Sequence, residues 1–462
     1  MSTVIRNRLV PAVPALAALA AGLWGLTGPS FWRDEAVTAE VSRRSLGQIL
    51  RLLPEVDAVH GLYYLLMHLV TGLLGSGEAA LRLPSVLAGA VTAGCTAELG
   101  RRYGGARLGL AAGLLTAFSP FLTRYAQDAR PYALVTAAAA VSTLLLVSAL
   151  ERGGRPRWAA YAASVVLLGL FNLFALLLLA AHAFPARPAL RSWAAASGAA
   201  LACLSPLVLL ASTQRGTQLS WLARPGPQAV AEWPVLLAGN AWLVPPLAVL
   251  AVLGARRLPA LRTAAVPWLL LPPAVLLAVS LISPVYTPRY VLFTAPAAAL
   301  LVAAGLDALP AAPAWAGTAL LLAGTVPMHL QQHAVDDRAD NLRRLRAIVE
   351  RHARPGDGLL FRVSEQRTIM GAYPETFTGL DDLALERTGA EAGDLVGDLA
   401  GPAAFARRLA GADRVWVVSK RPDRASPAYP VDESRFLVLR ESFGKVRGWR
   451  FKGGYLALYA RE

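Results

Sequence analysis

The chain has 462 residues, of which 55% are hydrophobic and 16% are charged, and its formal net charge is +15. Together with a mean hydropathy of +0.45, this composition excludes an ordinary soluble protein and is typical of a polytopic α-helical membrane protein. Many of the arginines form short clusters between apolar segments, which is the charge pattern of cytoplasmic loops and not of a nucleic-acid-binding surface. We therefore expect a multi-pass cell-membrane protein with no nucleic-acid partner.

The first apolar segment, residues 9–28, follows Arg6 and Arg8. It is long enough to span a bilayer, and residues 29–32 behind it offer no clean small-residue cleavage site for a signal peptidase. We expect an uncleaved transmembrane helix whose N-terminus is cytoplasmic.

The first outer loop, residues 29–79, begins with the adjacent carboxylates Asp34 and Glu35. Carboxylates at a membrane boundary are costly and hard to explain by packing, so this pair indicates chemistry. The alternative is a helix N-cap with an acidic first turn. The rest of the loop predicts two outer-face interfacial helices, over residues 37–53 and 62–74. On the polar face of the first of these helices lie Arg43, Arg44, Gln48 and Arg51.

Beyond this loop, arginine clusters recur in alternate loops, and the positive-inside rule places those loops in the cytoplasm. The clusters lie at residues 101–107, 152–157, 187–191 and 256–262. About eleven transmembrane helices follow from the alternation: residues 9–28, 80–99, 108–122, 133–150, 158–170, 173–185, 193–211, 234–253, 264–282, 290–306 and 312–328. An odd number of spans places the tail outside the cell.

Two later outer loops also carry polar side chains. The second outer loop, residues 125–132, contains Asp128 and Arg130, and a later one contains Arg289. Short loops between membrane helices rarely need such charged side chains for folding. For Asp128 the alternative is a salt bridge to Arg124 or Arg130, and for the tyrosines beside Arg289 it is an interfacial aromatic belt.

From about residue 329 the charge density rises and the long apolar runs end. Sequence patterns predict a helix at residues 336–353, another around Phe405, and strands at residues 359–361, 415–418 and within 446–459. We expect residues 1–328 to form the transmembrane domain and residues 329–462 a small C-terminal extracytoplasmic α/β domain.

Five motifs in series resemble the signatures of the GT-C superfamily of membrane glycosyltransferases. They are Trp32-Arg33-Asp34-Glu35, His60-Gly61-Leu62-Tyr63-Tyr64-Leu65-Leu66, Leu81-Arg82-Leu83-Pro84-Ser85, Tyr125-Ala126-Gln127-Asp128-Ala129-Arg130-Pro131-Tyr132 and Pro288-Arg289-Tyr290. Within the superfamily the chain is most similar to the bacterial family related to protein O-mannosyltransferases and to aminoarabinose and Rgt-type transferases. The resemblance covers essentially the whole chain in the right order, and it implies a GT-C fold.

The resemblance implies an enzyme that moves a sugar from a polyprenyl-phosphate carrier to an acceptor hydroxyl on the outer membrane face. Asp34 would be the general base that takes the acceptor proton. One direct displacement through an oxocarbenium-like transition state would invert the sugar carbon. The sugar would be mannose or another hexose or pentose such as arabinose, and the acceptor a protein, a glycan or a lipid.

The same resemblance assigns roles to the other motif residues. Arg130 and Arg289, with Arg82, would bind the carrier phosphate, because a guanidinium fork matches phosphate oxygens. Asp128 would orient the acceptor or fix an arginine, and Glu35 would support Asp34. The expected catalytic residues are therefore Asp34, Glu35 and Asp128, and the expected substrate-binding residues are His60, Tyr63, Tyr125, Tyr132 and Tyr290.

Two positions depart from the family pattern. Gly61 follows His60 where the family commonly has two prolines, and Asn172 stands where relatives often carry a histidine. Asp34 and Asp128 could hold Mg²⁺ or Mn²⁺ through oxygen ligands, but their spacing does not demand a metal, so we expect no required cofactor. For His60 the alternative to substrate binding is ordinary hydrogen bonding.

A transporter or flippase for a lipid or small solute is the main alternative function, and a non-catalytic scaffold or receptor is a second. Transporters usually place ionisable groups near the bilayer midplane and often have repeated halves. Here the predicted spans hold few charges, the acidic candidates lie in outer loops, and no sequence repeat is visible. These features favour an enzyme.

Overall fold

The computed structural model describes residues 3–419 and 431–462, and the chain divides into two compact units. The helical unit comprises Met1–Leu26, Arg82–Leu210 and Leu222–Gln332, and the α/β unit comprises Thr27–Leu81, Ala211–Trp221 and His333–Glu462. The first outer loop of the sequence analysis thus belongs to the same unit as the C-terminal segment.

Helices dominate the described chain. In order, the α-helices are α1 (Thr3–Leu23), α2 (Arg33–Arg43), α3 (Leu46–Leu52), α4 (Gly61–Leu74), α5 (Glu78–Gly104), α6 (Ala106–Ala117), α7 (Pro120–Ala126), α8 (Tyr132–Arg152), α9 (Arg155–Phe171), α10 (Leu178–His182), α11 (Leu190–Gln218), α12 (Gln228–Ala238), α13 (Val244–Arg257), α14 (Pro259–Ser280), α15 (Ala295–Leu306), α16 (Ala311–Gln332), α17 (Leu342–His352), α18 (Gly389–Ala392), α19 (Pro402–Ala410) and α20 (Glu433–Arg440). Short 3₁₀ helices cover Ala58–His60, Leu173–Leu177, Arg187–Ala189, Ala241–Leu243, Pro288–Thr294, Ser364–Ala372 and Pro374–Phe377. The strands are β1 (Gly358–Phe361), β2 (Asp381–Asp382), β3 (Leu385–Arg387), β4 (Asp398–Leu399), β5 (Arg414–Ser419), β6 (Phe443–Phe451) and β7 (Gly454–Arg461).

Within the described residues, six helices are long and apolar enough to cross a membrane. They contain α5, α8, α11, α14, α15 and α16. Two further pairs, α6 with α7 and α12 with α13, are bent by 58° and 84°, and they would raise the number to eight if each pair is one span. All eleven predicted segments lie mainly on helical residues, but the count of eleven spans stays a prediction.

Helices α13 and α15 of the helical unit approach each other at two glycines. A Cβ atom on Gly254 would lie 2.1 Å from the carbonyl oxygen of Leu301, and one on Gly305 would lie 2.1 Å from that of Leu250. The two backbones come this close because neither position carries a side chain. Small residues serve this purpose in membrane helices, where close packing replaces the hydrophobic drive for association.

We therefore expect Gly305→Ala to lower the thermal unfolding midpoint of the purified protein, because the added methyl group forces the helices apart. Overpacking of this kind costs about 1–3 kcal/mol. Gly198→Ala is the matched control, because nothing lies within 4 Å of a Cβ atom built on Gly198 of α11. Tryptophan fluorescence during heating in detergent measures both variants, and equal midpoints would contradict the close crossing.

A fully bonded histidine links four helices of the same unit. His182 Nε2 lies 3.0 Å from Thr143 Oγ1, and its Nδ1 lies 3.0 Å from the Tyr161 hydroxyl. The Thr143 hydroxyl donates its proton to the Ala139 carbonyl, so it accepts a hydrogen bond from the Nε2–H of His182. The Nδ1 atom of His182 then carries no proton and accepts from the Tyr161 hydroxyl. Trp193 Nε1 donates to the Tyr161 hydroxyl at 3.1 Å. His182 is therefore a structural residue that joins α8, α9, α10 and α11.

The α/β unit contains, within its described residues, a five-stranded sheet in the order β2-β1-β5-β7-β6. Strand β1 is parallel to β2 and β5, and β7 is antiparallel to β5 and β6. Val415 and Val417 of β5 pack with Phe405 and Leu439 from α19 and α20, and Trp416 between them points to the opposite face. The strand and helix predicted around these residues are confirmed.

Two helices of the α/β unit differ from the sequence-based expectation. The helix expected over residues 336–353 begins only at Leu342, because the Asn341 side chain caps it by accepting from the Arg344 N–H at 3.0 Å. The apolar positions expected for this helix are buried, namely Leu342, Leu345, Ile348 and Val349.

The single helix expected over residues 37–53 is wrong. Helix α2 ends at Arg43 and α3 begins at Leu46, because Ser45 and Gln48 form a capping box that starts the second helix. Arg44, expected on a polar face, is buried and its Nε donates to Glu40 at 2.9 Å.

Helix α4 agrees with the expected interfacial helix in length and surface. It has 14 residues, whereas a membrane span needs about 20. Its exposed side includes Leu69, Leu73 and Leu74. The membrane face on which it lies stays a prediction.

Candidate functional site

The carboxylates Asp34 and Glu35 lie in the first turn of α2. The N-cap residue is Trp32, so the N-cap part of the alternative interpretation is wrong, because Asp34 and Glu35 lie within the helix. The acidic first turn is present, and the helix dipole favours negative charge there. Asp34 is half-buried and Glu35 fully buried, so Asp34 is the better placed of the two to contact a substrate.

Arg33, beside Asp34, is bound by a residue that the sequence analysis did not single out. The Arg33 backbone N–H and Nε donate to Asp340 Oδ2 at 3.1 and 2.9 Å, and Nη2 donates to Oδ1 at 2.7 Å. Asp340 lies just before the cap of α17. The start of the helix that carries Asp34 is therefore held by the C-terminal segment of the same unit.

His60 lies beside an aspartate in an uncommon backbone conformation. Asp57 is the only non-glycine of the described residues with a positive φ, at 59°, a region that aspartate tolerates better than most residues. Its carboxylate accepts from the Tyr64 hydroxyl at 2.6 Å and from Gln218 Nε2 at 3.2 Å, and it lies 3.5 Å from His60 Nδ1. Tyr63, expected to bind substrate, is fully buried against Tyr64, and its substrate role stays a prediction.

In the helical unit, the second outer loop connects α7 to α8. Asp128 is fully buried, with Oδ2 3.9 Å from Arg124 Nη1, so the predicted ion pair with Arg124 is present. The Ser85 hydroxyl donates to the Asp128 carbonyl at 2.7 Å and lies 3.3 Å from that of Arg130. Ser85 belongs to the third motif, so a hydrogen bond joins two of the motifs that carry the resemblance.

Arg289 packs against the end of this loop. Its guanidinium carbon lies 5.6 Å from the ring centre of Tyr132 and 5.9 Å from that of Tyr290. The Tyr132 ring lies 5.3 Å from Tyr125 and 6.3 Å from Tyr290. Tyr132 is 4% exposed, so it lies in the interior of the unit, and the interfacial belt stays the alternative for the tyrosines beside Arg289. Two loops far apart in sequence therefore place Arg289 and three predicted tyrosines in one cluster, with Arg130 two residues before Tyr132.

Two other motif side chains hold the end of α1. The fully buried Arg82 donates from Nη1 to the Leu26 carbonyl at 2.8 Å. Gln127 Nε2 donates to the carbonyls of Trp24 at 2.6 Å and Gly22 at 3.1 Å. Carbonyls at a helix C-terminus lack intrahelical partners, so these bonds have a structural purpose. Phosphate binding by Arg82 stays a prediction.

A groove of about 710 Å³ opens in the α/β unit beside Glu78 and Arg343. Glu78 accepts from Arg343 Nε at 3.0 Å and from the Tyr373 hydroxyl. Burial raises the pKa of Tyr373 to about 12, so its hydroxyl remains a donor at neutral pH. These bonds fasten the first residue of α5 to α17.

A metal site needs several oxygen, nitrogen or sulfur ligands close together. Across residues 3–419 and 431–462, no three histidine, cysteine, aspartate or glutamate side chains form a metal-binding group. The expectation that no cofactor is required stays a prediction, because it concerns turnover.

Known proteins share this architecture. Residues 61–213 match the family model for dolichyl-phosphate-mannose-protein mannosyltransferase. ArnT from Cupriavidus metallidurans is similar over 96% of this chain and 97% of its own, with 16% identity and TM-scores of 0.63 in the apo state and 0.64 bound to undecaprenyl phosphate. The archaeal oligosaccharyltransferase AglB from Archaeoglobus fulgidus, in complex with an inhibitory peptide and a dolichol-phosphate, is similar over 99% of this chain and 74% of its own, with 10% identity and a TM-score of 0.51. No curated protein sequence matches the chain.

Proposed function

Since the chain has the fold of the GT-C superfamily of membrane glycosyltransferases, we propose that it transfers a sugar from a polyprenyl-phosphate carrier to an acceptor hydroxyl. The transfer takes place at the outer face of the cytoplasmic membrane. The sugar is mannose or another hexose or pentose, and the acceptor is a glycan, a lipid or a protein.

The observation that carries this proposal is the cluster formed by Arg289 with Tyr125, Tyr132 and Tyr290. The tyrosine rings attract the positive charge of the guanidinium, and its N–H donors form a planar fork that matches the oxygens of a phosphate. Support also comes from the ArnT structure with undecaprenyl phosphate and the AglB structure with a dolichol-phosphate, because both ligands are polyprenyl phosphates.

In the proposed reaction, the acceptor oxygen attacks the anomeric carbon and the bond from that carbon to the carrier phosphate oxygen breaks. Asp34 takes the acceptor proton as general base. The bonding electrons leave with the phosphate, and Arg130 and Arg289 neutralise the charge that builds there. A single displacement inverts the sugar carbon. Asp128 keeps Arg124 in place through their ion pair, next to the loop of residues 125–132.

The test is a transfer assay with membranes that supply the natural acceptors. The donors are undecaprenyl phosphates that carry radiolabelled mannose, arabinose or aminoarabinose, and the expected result is label in an acceptor for the wild type and almost none for Asp34→Ala. A transporter or flippase would leave the label on the carrier. Comparing the lipids and envelope glycans of a deletion strain by mass spectrometry would identify the sugar and the acceptor.

The outer orientation gives a separate prediction, which rests on the alternating arginine clusters. A cysteine at exposed Thr378 should react with a membrane-impermeant thiol reagent in intact cells, whereas one at exposed Arg155 should not. The neighbouring Gly379 and Gly154 are avoided because their φ angles of +86° and +92° disfavour a side chain. Labelling is measured after the two native cysteines are replaced by alanine, and the reverse pattern would place the α/β unit in the cytoplasm.

A further inference from the structure

The first turn of α2 has an unusual anchor. Asp340 accepts three hydrogen bonds from Arg33, one from the backbone N–H and two from the guanidinium, at 2.7–3.1 Å. The Asp340 side chain is 5% exposed, and a buried carboxylate binds a guanidinium more strongly than an exposed one because water competes less.

The backbone bond has the geometry of a helix cap supplied from outside the helix. The first N–H groups of a helix lack intrahelical partners, and a carboxylate oxygen is among the acceptors that satisfy them best. Trp32 occupies the N-cap position, and its indole cannot accept a hydrogen bond. Asp340 therefore satisfies the N–H of Arg33, the first residue of α2, whereas an ordinary N-cap side chain accepts from the N–H of the second or third residue.

We propose that Asp340 is a positioning residue that fixes the first turn of α2 and, through it, the carboxylate of Asp34. The proposal rests on the proposed function, because it assumes that Asp34 is the base. In this proposal Asp340 itself binds neither the donor nor the acceptor. Its contribution is the orientation of the adjacent residue, and a misplacement of about 1 Å at a reacting group can cost up to about 10²-fold in rate.

Asp340 is itself held firmly in place. The next residue, Asn341, donates its N–H to the Lys452 carbonyl at 2.8 Å and caps α17 with its side chain. Gly453 follows in the turn between β6 and β7, and a Cβ atom built on it would lie 1.9 Å from Asp340 Oδ1. Asn341 and Gly453 therefore restrict the positions open to the Asp340 carboxylate.

The charges around Arg33 agree with this arrangement. Burial by itself would lower the pKa of the Arg33 guanidinium, but the hydrogen bonds and charge of Asp340 raise it above the ordinary value. The charges of Asp34 and Glu365 act on Arg33 in the same direction. Asp340 therefore compensates a cation that lies directly beside the proposed base.

The first test is Asp340→Asn, which keeps the size of the side chain but sets an amide N–H₂ against the Arg33 donors. We expect kcat to fall by up to about 10²-fold, with the KM for the undecaprenyl-phosphate sugar unchanged. In an Asp34→Glu background, where the carboxylate is already displaced, the same substitution should cost much less. An equal loss in both backgrounds would indicate a general structural defect and overturn the proposal, as would a wild-type kcat in Asp340→Asn.

A second variant leaves Asp340 in the chain. Gly453→Ala should push the Asp340 carboxylate away from Arg33 and reproduce the loss of kcat. Gly356→Ala is its control, because Gly356 has a similar positive φ of 85° but nothing lies within 4 Å of its Cβ position. Asp432→Asn controls for the loss of a capping carboxylate, since Asp432 binds the backbone N–H and Nη1 of Arg435 at 3.1 and 2.5 Å. Both controls should keep the wild-type kcat.

Hydrogen–deuterium exchange separates failure of this proposal from failure of the proposed function. In Asp340→Asn the amides of residues 33–37 should exchange faster than in the wild type, whatever reaction the protein catalyses. Unchanged exchange there would overturn the capping role even in an active transferase. If the wild type transfers no sugar but these amides respond, the cap stands and the function proposed for Asp34 fails.

Discussion

Replacing Asp34 by asparagine is expected to lower turnover by roughly 10²- to 10⁴-fold, the contribution of a positioned general base, while the protein remains folded. Asparagine has nearly the size of aspartate, so packing around the half-buried side chain should persist. An amide cannot accept the acceptor proton at neutral pH, so the loss should appear in kcat. The measurement is the initial rate of label transfer by purified protein, with the unfolding midpoint as a check on folding.

Glu35→Gln is the matched control, because Glu35 lies in the same helical turn but is fully buried. It should lower turnover much less than Asp34→Asn. Near-normal turnover of purified Asp34→Asn would remove Asp34 as the base, and a larger loss in Glu35→Gln would transfer the role to Glu35.

Arg289→Lys is expected to weaken binding of the polyprenyl-phosphate carrier by about 1–3 kcal/mol, or roughly 5- to 150-fold in Kd. Lysine keeps the positive charge but cannot offer two parallel N–H donors to a phosphate. It also removes the guanidinium that lies beside the rings of Tyr132 and Tyr290. The probe is undecaprenyl phosphate alone, whose Kd follows from the rise in unfolding temperature with ligand concentration. This measurement does not require the sugar to be known.

Arg107→Lys serves as the control for Arg289→Lys. Arg107 belongs to the same helical unit but pairs with Asp307, its Nε lying 2.5 Å from Oδ1, so carrier affinity should not change. If Arg289→Lys instead weakens binding of the acceptor and leaves binding of the carrier unchanged, Arg289 faces the acceptor. Arg130 would then be the better candidate for binding the phosphate than Arg82, because Arg82 already donates to the Leu26 carbonyl.

Much of the fold could be predicted because burial leaves a periodic pattern within a few residues. The strand at residues 415–418 and the buried face of α17 are examples. The break between α2 and α3 was missed although its signal was present, since Ser45 and Gln48 have the spacing of a capping box. The helical spacing of apolar residues on both sides of the break concealed it.

For the candidate site, the motifs indicated the loops with polar side chains but did not separate candidate substrate-binding residues from those that hold the loops. Ser85 and Gln127 bind backbone carbonyls, as Arg82 does. The pairing of Arg33 with Asp340 joins positions 307 residues apart, and no local pattern encodes a contact at that separation. A single sequence therefore predicts candidate segments for chemistry but not which distant residue supports them.

The separation of 307 residues between Arg33 and Asp340 along the sequence also has a consequence for biosynthesis. The ribosome makes the helix that carries Asp34 early, but the residue that caps it emerges 307 positions later. At about 5–20 residues per second, this interval lasts roughly 15–60 s. A nascent chain thus inserts most of its apolar segments before the first turn of α2 can be completed, and a chain that terminates before Asp340 would reach the membrane with that turn unfinished.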